Sequence, residues 1–136
     1  MSYVESESSP ADLAAEAEQR AKDILYKVGE LLRRQAEVHA RFSKSQQQDP
    51  RSPDLAPLSD IIEEINRIVG ALGRQRTELL DGLPIILDAR GQLDIVAEQL
   101  ARDAKLVERV KDRLRRVTLT IATAERVLTR VATLLA

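Results

Sequence analysis

The sequence predicts an all-α protein: an elongated antiparallel helical hairpin with an N-terminal helix, heptad-patterned and part of a coiled-coil bundle. Three observations predict it. Every seventh residue from Ile86 is apolar, through Leu93, Leu100, Val107, Leu114, Ile121, Leu128 and Leu135. A second register runs from Ala89 through Val96, Asp103, Val110, Val117, Ala124 and Val131, and fourteen of these fifteen positions are apolar. That 3-4-3-4 spacing makes a continuous apolar seam, which needs other helices to cover it. The second observation is the composition of the core. Aromatics are 2% and Trp is absent, so Leu, Ile, Val and Ala must do most of the packing, with Tyr26 and Phe42 as exceptions. The third is charge. Charged residues are 32% with a net charge of -1, as in coiled coils and bundles.

Residues 1–8 are acidic, Ser-rich and aperiodic, and read as a disordered tail. Helix one is expected over 9–46. Ser9 is placed to cap it, Pro10 occupies the first helical position, and Asp12 follows three residues after the cap. Its apolar positions are Leu13, Ala17, Ala21, Ile24, Leu25, Val28, Leu31, Leu32, Ala36, Val38 and Phe42. Five acid-first pairs four residues apart line the opposite face: Glu16–Arg20, Glu18–Lys22, Asp23–Lys27, Glu30–Arg34 and Glu37–Arg41. Gln35 falls on the seam, where a polar residue fixes register at some cost in stability.

Residues 47–57 read as a Pro/Gln-rich linker, which leaves open where helix one docks. Residues 58–136 read as the helical hairpin. Its first arm carries Leu58, Ile61, Ile62, Ile65, Ile68, Val69, Leu72, Leu79 and Leu80. Gly70 and Gly73 lie inside that arm and read as points of close helix approach. The turn is expected at 81–84, with Gly82 as a left-handed C-cap and Pro84 restarting the helix. The heptads then predict one unbroken helix to Ala136, roughly 80 Å if it starts at Leu83.

The two arms differ in length, so the far end of the long helix has no obvious cover from the short one. From Val117 onward charges thin out and threonines appear. Val117, Ile121, Ala124, Leu128, Val131 and Leu135 are therefore the expected partner-binding stripe. Asp103, the polar interruption of the heptads, joins Gln35 as a candidate for setting register or partner choice.

No catalytic, cofactor or metal site is expected. Cysteine is absent, which excludes thiol chemistry, thiolate metal ligation and disulfides. His39 is the only histidine and sits at the edge of helix one's seam. Glu63–Glu64 lacks the Glu-x-x-His companion of a di-iron site. The basic stripe Lys105–Arg116 has a composition able to touch lipid headgroups, but no aromatic is interleaved and the net charge does not favour nucleic acid. The N-terminus lacks the apolar core of a signal peptide and no apolar run spans a bilayer, so a cytoplasmic setting is expected.

The stretch from Leu83 to Val117 resembles the snapin-like small subunits of lysosome-related-organelle biogenesis and lysosome-positioning complexes. The resemblance rests on Leu83, Ile86, Leu87-Asp88-Ala89-Arg90, Leu93, Val96, Leu100 and Arg113-Leu114-Arg115-Arg116. Where that family tends to place an aromatic after the turn proline, this chain has Ile85. The resemblance implies a cytosolic adaptor within a hetero-oligomeric coiled-coil assembly, working in vesicle or lysosome-related trafficking. From the residues alone, the expected partners are other coiled-coil proteins, as homo- or hetero-oligomer. The other readings are a chaperone or adaptor for a secreted or filament-forming helical client, and a peripheral membrane-surface binder.

Overall fold

A computed structural model describes residues 9–81 and 97–136. Helix α1 spans Pro10–Gln48, α2 spans Leu55–Leu80 and α3 spans Ala104–Leu135. Residues 97–102 are also helical, and no strand occurs among the described residues. The expected turn residues Gly82 and Pro84 lie outside the described residues.

α1 starts as its sequence dictates. The Ser9 hydroxyl accepts from the Asp12 amide at 3.1 Å, and the Ser9 carbonyl takes the first helical bond from Leu13. The hydroxyl thereby occupies the Asp12 amide, a donor that otherwise lacks a partner at a helix start. α1 and α2 are joined by only six residues, 49–54. The Asp49 carboxylate accepts from the Arg51 amide and the Ser52 hydroxyl from the Asp54 amide, so two side-chain turns fold the connection back on itself. α2 therefore begins three residues earlier than expected. Pro57 falls in its first turn, where a missing amide hydrogen costs no helical bond.

The chain forms two compact units: Met1–Asp23 with Arg74–Thr118, and Ile24–Gly73 with Leu119–Ala136. In the first, small residues of α1 (Ala14, Ala17 and Ala21, with Leu13) are buried, as are Leu79 of α2 and Leu106, Val110, Leu114 and Val117 of α3. In the second, the buried residues are Ile24, Leu31 and Val38 of α1, Leu58, Ile61, Ile65, Ile68 and Leu72 of α2, and Ala124, Val127 and Val131 of α3. Helices thus pack against helices in both units through aliphatic side chains.

Three expectations change. The helix through the heptads is interrupted at Asp103, which is exposed. Its carboxylate accepts from the amides of Lys105 at 3.0 Å and Leu106 at 3.2 Å, making it the N-cap of α3 and not a seam residue. A short acceptor that ties its own backbone competes with helix continuation, and a heptad count is blind to that competition. Gly73 is not a point of close approach, since a Cβ added there would meet nothing within 4 Å. Of the five acid-first pairs on α1, only Glu18–Lys22 forms, at 3.6 Å. Arg20, Lys27 and Arg34 instead reach forward to Asp23, Glu30 and Glu37, at 3.2, 3.0 and 2.7 Å. Either spacing brings two side chains together on a helix, and exposed pairs of this kind contribute only tenths of a kcal/mol.

Candidate interaction surface

The expected partner-binding stripe is largely covered by the chain itself. Val117, Ala124 and Val131 are fully buried, and Ile121, Leu128 and Leu135 are half-buried. In the second unit α1 runs beside α3 and supplies the cover that α2 alone lacks. Lys27 lies 3.9 Å from Glu125, and Arg41 donates to the Leu135 carbonyl at 3.1 Å. α2 flanks α3 from another side, where Glu64 pairs with Arg130. The short 49–54 connection folds α2 back beside α1, where Gln35 reaches Ile62 and Asn66 within the second unit.

The threonines of α3 explain why its charges thin out without opening an interface. Thr118, Thr123, Thr129 and Thr133 each donate to the carbonyl four residues back, at 3.0 to 3.2 Å. Those hydroxyls satisfy themselves against their own helix.

Gln35 is 9% exposed. Its amide donates to the Ile62 carbonyl at 3.0 Å and to Asn66 Oδ1 at 2.7 Å. This polar contact sits inside an otherwise aliphatic α1–α2 interface.

The basic stripe Lys105–Arg116 is partly committed within the first unit. Arg113 donates to the carbonyls of Glu78 and Asp81, at the C-terminal end of α2 where the helix dipole is negative. Arg116 pairs with Asp112 at 2.6 Å and lies 3.9 Å from Glu78. Lys111 and Arg115 lie within 4 Å of Glu108 and Asp112 respectively. The hydrogen bond from Arg116, reinforced by its charge and that of Arg115, holds the Asp112 carboxyl below its usual range.

The sequence pattern did not lead to the surface that is open. The large exposed apolar side chains among the described residues are Leu25 (55%), Tyr26 (75%), Leu32 (46%) and Leu119 (69%), all in the second unit. Three of them lie on α1. Leu25, Gly29, Leu32 and Ala36 follow a 4-3-4 spacing, which makes a second line on α1 about 100° round from the buried line Ile24–Leu31–Val38. Ala36 is exposed, and a Cβ on Gly29 would meet nothing within 4 Å. The signal was present in the adjacent pairs Ile24–Leu25 and Leu31–Leu32. Two neighbouring large residues repeated every seven make an apolar face wider than one core line uses.

No group of three or more His, Asp or Glu residues placed to hold a metal occurs among the described residues. None of their helices is long and apolar enough to cross a membrane. Shallow depressions occur among the described residues. One is lined by Gln99, Arg102, Asp103, Leu106 and Arg109, and another by Glu37, Ala40, Arg41, Lys44 and Leu135. Neither brings together a nucleophile and a base. The sequence matches no family model, no curated protein and no solved structure.

Proposed function

We propose that this chain is a non-enzymatic coiled-coil structural or adaptor subunit of a multi-protein assembly, and that its outer α1 face is the assembling surface. The observation that carries the reading is that exposed face. Leu25, Tyr26 and Leu32 stand in solvent beside a core that is already filled, and apolar patches of this kind mark interaction sites. The antiparallel hairpin belongs to the same proposal. What supports it is the order of contacts within the first unit, where Glu78 faces Arg113 and Arg116 while Asp81 faces Arg113. A role in vesicle or lysosome-related trafficking rests on the snapin-like resemblance of residues 83–117.

The test is purification of the tagged chain from its own cells, with and without Leu25→Asp and Leu32→Asp, followed by native mass measurement. The reading expects helical partners at fixed stoichiometry, lost in the double variant. Sub-stoichiometric, exchanging partners would instead favour a chaperone for a helical client. A chain that co-purifies with nothing, and floats with anionic vesicles through Lys105 and Arg109, would overturn the subunit reading in favour of a membrane-surface binder.

A further inference from the structure

We infer that the outer face of α1 pairs antiparallel with the same face of a second copy of this chain. The inference rests on the subunit reading above and names the first occupant of its surface. Place two α1 helices side by side in opposite directions, with a two-fold axis level with the Glu30–Leu31 peptide bond. Leu25 then falls opposite the second copy's Ala36, and Leu32 opposite its Gly29. Each large side chain meets a small residue, as knobs meet holes in a packed helix pair.

The rim of this pairing is complementary as well. Tyr26 and Arg33 flank the line on the same side, seven residues apart. Both are exposed, and Arg33 makes no ion pair among the described residues. In the antiparallel pair each Tyr26 ring lies beside the other copy's Arg33, within reach of a cation–π contact. A parallel pair would set Leu25 against Leu25 and carry the two copies' Tyr26 and Arg33 to opposite flanks, and would lose both matches.

Gly29 supplies a separate argument. Glycine inside an exposed helix is disfavoured by about 1 kcal/mol against alanine. Nothing in the lone chain uses the space, since a Cβ there meets no atom within 4 Å. A facing Leu32 would use it.

The chain lacks cysteine, so a single introduced thiol reports unambiguously on the pairing. Full-length Leu25→Cys and Ala36→Cys proteins, mixed and oxidised, are expected to give mainly the mixed 25–36 disulfide. Neither alone should cross-link efficiently, because like positions sit about 16 Å apart along the axis. Gly29→Lys places its side chain in open space in the lone chain. It is expected to unfold at the same temperature or higher when dilute, and to dimerise at least about tenfold more weakly in sedimentation. Cross-linking of 36 to 36 as efficient as 25 to 36 would overturn the antiparallel pairing. So would Gly29→Lys dimerising like the parent, or a parent that stays monomeric to tens of micromolar. A monomer that still holds a stoichiometric heterologous partner through Leu25 and Leu32 would overturn this inference and leave the subunit reading standing.

Discussion

The C-terminal half of α3 and the outer line of α1 both carry repeated aliphatic residues at heptad spacing, yet they differ in what covers them. Along α3, Val117, Ala124 and Val131 are fully buried against the chain's own helices. Along α1, Leu25 and Leu32 stand about half exposed. Heptad spacing locates apolar surface on a helix. It does not say whether the covering helix belongs to the same chain. That is decided by connection length and by which of two adjacent apolar lines the core consumes.

The sharpest way to break the comparison is a charge in each line. Val131→Asp buries an unpaired carboxylate where no solvent reaches, and is expected to lower unfolding free energy by more than about 4 kcal/mol or abolish the fold. Leu32→Asp, on the outer line, should leave the dilute chain folded. Urea denaturation followed by circular dichroism reads this directly. A Val131→Asp protein that keeps full stability but loses self-association would return the C-terminal stripe to the role of interface.

Next in size is a comparison of neighbours. Leu31 is fully buried and Leu32 is 46% exposed. Leu31→Ala should cost about 2–5 kcal/mol, and Leu32→Ala less than about 1 kcal/mol in dilute protein. Similar losses for both would mean that α1 is rotated about its axis, with Leu32 turned toward the core beside Leu31.

The polar contact between α1 and α2 offers a finer probe. Gln35→Leu removes the donor to both Ile62 and Asn66 and leaves their oxygens without it, so a loss of about 1–3 kcal/mol is expected. The paired change Gln35→Leu with Asn66→Leu should recover part of that loss. A stabilising single change would show that the contact costs more than it contributes.

Smallest is the cap. Asp103→Ala should destabilise by about 1 kcal/mol, and Asp103→Asn by less, because asparagine keeps the accepting oxygen. Asp103→Leu should not stabilise. A raised melting temperature would restore the seam position that the heptads assigned to this residue.

The helical class was legible because an amphipathic period constrains each helix by itself. Ser9, Pro10 and Asp12 marked the start of α1 because a cap is a local device that needs no tertiary partner. Gln35 could be placed on a seam, though its partners Ile62 and Asn66 could not, since pairing across helices is not encoded in spacing. Asp103 was misplaced because its capping role and its heptad position are both consistent with Asp-Ala-Lys-Leu, and only the backbone decides between them. Spacing places Val117 to Leu135 on one stripe but does not show that α1 lies beside it, because the turns that Asp49 and Ser52 close are read only from the backbone. The open face of α1 went unseen because Leu25 and Leu32 were assigned to the same seam as Ile24 and Leu31.

The central claim is that the α3 stripe is interior and the α1 line is surface. Thiol accessibility tests it most directly in this cysteine-free chain. Leu32→Cys and Val131→Cys proteins are exposed to a chromogenic disulfide reagent under native conditions, diluted until the chain is single. The thiol at position 32 should react at close to its unfolded rate, and the thiol at 131 roughly a hundredfold or more slower, limited by opening of the bundle. Equal rates, or a protected position 32 beside a reactive 131, would contradict the account.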